Sequence, residues 1–154
     1  MLIANIANGT EVDNEMEKNL VDLIIELKKG CMEDEKQIRT LCKVSLAEYK
    51  AILEIKTTEI ITCNVLSEKM GLSISRGSRI IDSLVKKGYL LRILNPEDRR
   101  SFFLSFSPKG TKIKKQIGQE RTNCEYKIRK NLSPKEVKLV KEGLELITKI
   151  FHQK

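Results

Sequence analysis

Residues 64–88 read NVLSEKMGLSISRGSRIIDSLVKKG, and this stretch decides the fold. Two short helical patterns flank a glycine. The first is Asn64–Met70. Gly71 then offers a residue free to take the positive φ of a tight turn. The second pattern runs from Ser73 to Lys87, with Ser73 as N-cap and Gly88 just past the end. Ile80, Ile81, Leu84 and Val85 mark its inner side. Helix, glycine turn, helix is the pattern of helix-turn-helix.

Downstream the period changes from 3.6 to 2. Tyr89–Leu94 reads YLLRIL and is strand-like. Asn95-Pro96 opens a polar turn through Arg100, because Asn and Pro favour turn initiation. Ser101–Ser107 alternates Ser with Phe and Leu, again strand-like. Two strands around a basic loop make a hairpin, and a hairpin directly behind a helix-turn-helix is a wing. The expected fold is therefore mainly α with a small β-hairpin wing.

Outward from this lobe the chain is amphipathic and helical. Residues 12–29 place Met16, Leu20, Leu23, Ile24 and Leu27 on one helical face, with Gly30 as the expected stop. Cys31–Val44 is mixed and charged, and its end reads as a loop. Ser45-Leu-Ala-Glu48 is a capping box opening a second helix, with Leu46, Tyr49, Ile52, Leu53 and Ile55 as its apolar face. Pro108 after Ser107 starts another, with the stripe Ile113, Ile117, Cys124 and Ile128. Ser133-Pro134-Lys-Glu136 is a second capping box. Behind it Val137, Val140, Leu144, Ile147 and Phe151 recur at 3, 4, 3 and 4, a heptad seam. Residues 12–44 and 113–154 are thus expected as dimerisation helices around a reading lobe at 45–112. The competing arrangement is a monomer whose end helices close over their own core.

Charge points to the partner. From Thr62 to Lys115 stand twelve basic and four acidic residues, a difference equal to the chain's whole +8. A basic segment between neutral flanks suits a polyanion, double-stranded DNA before an anionic membrane. No run approaches the ~20 apolar residues of a membrane span, and no signal peptide is read in MLIANIANGT, so a cytoplasmic protein is expected. The four cysteines form no CxxC pair and the one histidine is His152, so neither zinc nor any other cofactor is expected. A phosphate-cradling glycine loop and a nucleophile elbow are both missing, which argues against an enzyme.

The helix 73–87 is the candidate reader, with Ser73, Ser75, Arg76, Ser78 and Arg79 at or near the end that would enter the major groove. Arginine can grip guanine O6 and N7 with two parallel bonds. Arg99 and Arg100 sit at the expected wing tip, suited to a narrow minor groove. Asp98 would be repelled by phosphate, so it is expected to pair with an arginine and support the wing. Lys86, Lys87, Arg92, Lys109 and Lys112 read as phosphate contacts. A non-specific architectural DNA binder is the alternative, and a protein-interaction winged helix a third.

Leu66-Ser-Glu-Lys-Met-Gly-Leu-Ser73, Ser78–Leu90, Asp98-Arg-Arg-Ser101 and Ser107-Pro-Lys-Gly110 together resemble the multiple-antibiotic-resistance-regulator (MarR) family. The resemblance implies a winged helix-turn-helix homodimer that binds palindromic promoter DNA, usually as a repressor. It implies DNA contacts at Ser75, Ser78, Arg79 and Arg100, with Asp98 supporting the wing and Arg79 as its candidate partner. It also implies control by a small aromatic effector, or by cysteine oxidation. For the latter, Cys31 and Cys42 are the candidates, flanking the expected junction of the first two helices. Cys63 and Cys124 read as packing residues. Two positions depart from the family pattern: Arg76 adds charge to the reading face, and Gly77 removes a core side chain. That glycine implies either a close helix approach or a locally softer helix.

Overall fold

A computed structural model describes residues 18–98 and 101–152. The chain forms two compact units, residues 1–33 and 34–154. The first helix, α1, is Leu20–Cys42. It runs through Gly30, which neither stops it nor meets any neighbouring atom. The expected stop is therefore corrected, while the loop expected at the end of Cys31–Val44 is present at residues 43–45. A single exposed glycine costs a helix only ~1 kcal/mol, too little to break one that continues as a good pattern on both sides. The break comes at Lys43, a non-glycine residue at φ 53°, with Val44 N–H donating to the Arg39 carbonyl. The portion of the first helix expected before residue 18 lies outside the described residues.

The lobe follows the expected order. Helix α2 is Leu46–Glu54, and both bonds of its capping box form. Strand β1 is Ile61–Thr62, α3 is Cys63–Lys69 and α4 is Ile74–Lys86. Strands β2 (Leu90–Leu94) and β3 (Phe102–Phe106) make the hairpin. Gly71 and Gly88 take φ values of 64° and 75°, as the two turns require. The sheet has one strand more than expected: β1 pairs antiparallel with β3, giving the order β1-β3-β2. Two residues are too few for a period to show in sequence. Helix α5 is Pro108–Arg129 and α6 is Pro134–His152.

The core is built from Tyr49 and Ile52 of α2 and Ile55 at its C-cap, Leu66 of α3, Ile81 and Leu84 of α4, Leu90 and Leu104 of the hairpin, and Ile117 of α5. Ser107 ties the wing to α5: its Oγ donates to the Gly88 carbonyl at 2.6 Å and accepts from Gly110 N–H at 2.9 Å. A Cβ at Gly110 would lie 1.9 Å from the Tyr89 carbonyl oxygen, so only glycine fits where α5 meets β2. Lys114 buries its ammonium at the end of α2, donating to the carbonyls of Ile52, Leu53 and Ile55 at 2.5–3.2 Å. Burial, with the nearby Arg121 charge, pulls that ammonium's pKa down. By contrast, α6 buries none of its residues.

Candidate nucleic-acid interface

Helix α4 presents one face to solvent and is held on the other. Ser75, Arg76 and Arg79 are exposed and lie on one side, since positions three and four apart are neighbours on a helix. Ser73 and Lys86, near the two ends, are exposed as well. Ser73 stands at the N-cap position, but its Oγ meets Ser75 Oγ at 3.2 Å and makes no capping bond. The first-turn N–H groups of α4 are thus left without that side-chain acceptor. Ser78 is half-buried, and its Oγ lies 3.3 Å from Cys63 Sγ. It faces the cleft between α3, α4 and the hairpin, which Arg92 and Asp98 also line. Ser78 therefore stands deeper than the other expected reading residues.

The unusual glycine has a clear role. Gly77 is buried, and a Cβ there would lie 1.9 Å from Ser67 Oγ and 2.8 Å from Ser67 Cβ. Of the two implications of Gly77, the structure bears out the close approach. Ser67 is itself buried, its Oγ donating to the Cys63 carbonyl at 2.7 Å.

Basic residues around the helix divide into two groups. Arg92, read as a phosphate contact, is bonded to Asp82 of α4 and lies 5.9 Å over the Phe102 ring. Lys87 donates to Glu48 at 2.7 Å and to the Lys43 carbonyl at 3.1 Å. Lys109 donates to the Lys87 carbonyl at 2.7 Å and lies 5.0 Å over the Tyr89 ring. Each of the three has an acceptor or aromatic face within the lobe that sequence spacing does not reveal, while Arg92 and Lys109 themselves remain exposed. Lys86 and Lys112 are exposed as well. Arg99 and Arg100, the expected wing-tip arginines, lie outside the described residues. Asp98 is exposed, and its carbonyl closes the hairpin loop by accepting from Ser101 N–H at 3.0 Å.

The cysteine pair does not flank an interhelical junction, because both thiols stand on the single helix α1. Cys31 is exposed, whereas Cys42 is buried. Burial, with Glu120 nearby, pushes the Cys42 thiol pKa up, which suppresses the reactive thiolate. Its surroundings are those of a packing residue. Cys63 and Cys124 pack against the core, as expected. No group of three or more His, Cys, Asp or Glu among the described residues is placed to hold a metal ion. No helix among them is long and apolar enough to cross a membrane.

Residues 44–102 match the model of the MarR family. An uncharacterised HTH-type transcriptional regulator of Bacillus subtilis, YfiV, is 27% identical over 106 residues, covering 69% of this chain. The chain spans 66% of that relative's length. The Escherichia coli transcriptional repressor MprA is 25% identical over 132 residues, covering 84% of this chain and 73% of its own. Among solved structures, S. aureus MepR F27L bound to an oligodeoxyribonucleotide superposes with a TM-score of 0.67 at 14% identity. That match covers 88% of this chain and all of the other, and at such identity it speaks for the fold alone.

Proposed function

From the match of residues 44–102 to the MarR family model, we propose that this chain is a sequence-specific regulator of transcription of that family. Two copies bind one near-palindromic duplex in the cytoplasm and repress the promoter that carries it. The observation that carries this reading is the α4 surface: Ser75, Arg76 and Arg79 stand exposed together on a helix whose opposite side, at Gly77, Ile81 and Leu84, is buried. An exposed arginine pair on a rigidly seated helix is what reading guanine edges needs. Residues 45–112 serve as the reading lobe and 12–44 with 113–154 as the dimerisation helices.

A second copy is favoured by what the end helices leave uncovered. An apolar groove of about 700 Å³ runs between α5 and α6, lined by Ile128, Leu132, Val137, Val140 and Leu144. Leu139, Leu146, Ile150 and Phe151 of α6 are each more than 60% exposed as well. Apolar surface in that quantity on a helix that buries nothing marks an association site, and two-fold pairing suits a two-fold DNA site.

Footprinting on the DNA upstream of the chain's own gene tests the reading. The expected result is protection of a two-fold symmetric site. Arg79→Ala should weaken binding by about 1–3 kcal/mol and relax base preference, while Lys86→Ala should lower the salt slope by about one. Equal affinity for all sequences would instead select the architectural alternative. No shift at low salt would select the protein-interaction module. The effector implied by the resemblance is tested by titrating phenolic ligands into the complex: release supports it, and unchanged affinity ends it.

A further inference from the structure

Two capping boxes in this chain use the same chemistry in different surroundings. In α6, Glu136 accepts from Ser133 N–H at 2.7 Å, and its residue is exposed. In α2, Glu48 accepts from Ser45 N–H at 2.7 Å, yet only 3% of the residue is exposed. A helix cap does not require burial of its carboxylate, and burying one is costly unless the charge is paired and hydrogen-bonded. Glu48 is paired. Ser83 Oγ donates to Oε1 at 2.6 Å, and Lys87 Nζ donates to Oε2 at 2.7 Å. Both partners belong to the C-terminal end of α4 and its cap, and Lys87 also reaches the Lys43 carbonyl where α1 ends. Burial pushes the Glu48 carboxyl pKa up, but the hydrogen bonds from Lys87, Ser83 and Ser45, with the Lys87 charge, outweigh it and leave it below the usual carboxylate range.

Helix α4 is thus gripped at two places. Gly77 lies against Ser67 beside the exposed reading residues, and Ser83 with Lys87 lies against Glu48 at the far end. From Arg79 to Lys87 the helix is about 12 Å long, at 1.5 Å per residue. Fixing that far end fixes the direction in which Arg76 and Arg79 point. Resting on the dimeric DNA-binding reading above, we propose that Glu48, Ser83 and Lys87 form a positioning clamp. It locks the reading helix to the exit of α1 and so sets the aim and separation of the two reading helices on the duplex. These residues touch no base; they act through Arg76 and Arg79.

The test uses the full chain and a duplex that the wild-type protein selects from a random-sequence pool. Its control is a random duplex of equal length. Ser83→Ala, Glu48→Gln, Lys87→Met and the conservative Lys87→Arg are compared at a temperature where circular dichroism and oligomeric state match wild type. The clamp predicts that the ratio of selected to random affinity falls at least tenfold in Ser83→Ala and Lys87→Met. Affinity for random duplex stays within about twofold, because the phosphate contacts are untouched. Lys87→Arg restores most of the ratio, and the half-site spacing preferred by the variants broadens. Amide exchange in residues 83–87 quickens in parallel. An unchanged ratio in folded Ser83→Ala overturns the clamp, as does equal loss on both duplexes. A salt slope lowered by about one in Lys87→Met also overturns it, since Lys87 would then be a phosphate ligand. Should Glu48→Gln fail to fold, Ser83→Ala still decides, having lost one hydroxyl and no charge. If the wild-type protein selects no sequence, the regulator reading itself falls and the clamp with it.

Discussion

The lobe and the last helix are both amphipathic, but among the described residues only the lobe buries its apolar face. Ile52, Leu66, Ile81, Leu84, Leu90 and Leu104 come from five different elements and are each at most 1% exposed. Leu144 of α6 remains 44% exposed and Leu146 63%. The heptad pattern of α6 is as regular as the stripe of α4. Periodicity therefore states that a face will be buried; whether a neighbour in the same chain or a second copy covers it depends on where the connections lead. The lobe folds back on itself through short turns at Gly71 and Gly88, whereas α6 follows the long α5 away from the core.

This contrast can be broken in four ways, from the largest effect downward. Leu84→Ala should destabilise the fold by about 2–5 kcal/mol through lost burial and a cavity, read as a lower urea midpoint. A cost below about 1 kcal/mol would mean the lobe core is not where the stability resides. Gly110→Ala should cost about 1–3 kcal/mol, because the new Cβ meets backbone, the Tyr89 carbonyl, which cannot rotate away. Unchanged thermal stability would show that α5 can slide off the wing freely.

The clamp carboxylate provides a pH test. Burial pushes the Glu48 pKa up, but the hydrogen bonds from Lys87, Ser83 and Ser45 outweigh it and the fold holds it below its ordinary value, so its contribution is present above the unfolded value of about 4.3 and is lost as pH falls through the folded value. The stability gap between wild type and Glu48→Gln should be constant near neutrality and shrink below about pH 4. A gap that widens on acidification would reverse the sign of the Glu48–Lys87 pairing. The smallest effect on lobe stability belongs to Leu146→Glu, at most about 0.5 kcal/mol for an exposed site. The same substitution should shift sedimentation toward the monomer. An unaltered dimer would show that this face of α6 is not at the subunit contact.

Much of the lobe was legible from local chemistry. Ser45 and Glu48, Gly71, Gly88 and Ser107-Pro108 act within a few residues of themselves, and short-range rules describe them well. The errors have a common cause. Gly30 was expected to end a helix because a terminus signal was weighed alone, without the pattern continuing beyond it. Strand β1 was missed because two residues acquire their strand character only from β3. The partners that Lys87, Arg92 and Lys109 take within the lobe were not legible because those acceptors lie 10 to 44 positions away. The exposure of Ser75, Arg76 and Arg79 was legible because exposure on a short amphipathic helix follows from its own buried stripe. The depth of Ser78 and the closeness of Gly77 to Ser67 depend on how α3 and α4 pack.

By itself, then, the order of residues settled which segments coil, where they turn, which side of each is apolar and where the positive charge gathers. Those properties arise from backbone geometry and from neighbours within about one helical turn. Tertiary structure alone decided which cations find partners across the lobe, why Glu48 is buried when Glu136 is not, and which apolar stripes remain uncovered. These outcomes depend on atoms from distant positions arriving within 3 Å of one another. No local period encodes that encounter; only the packed chain does.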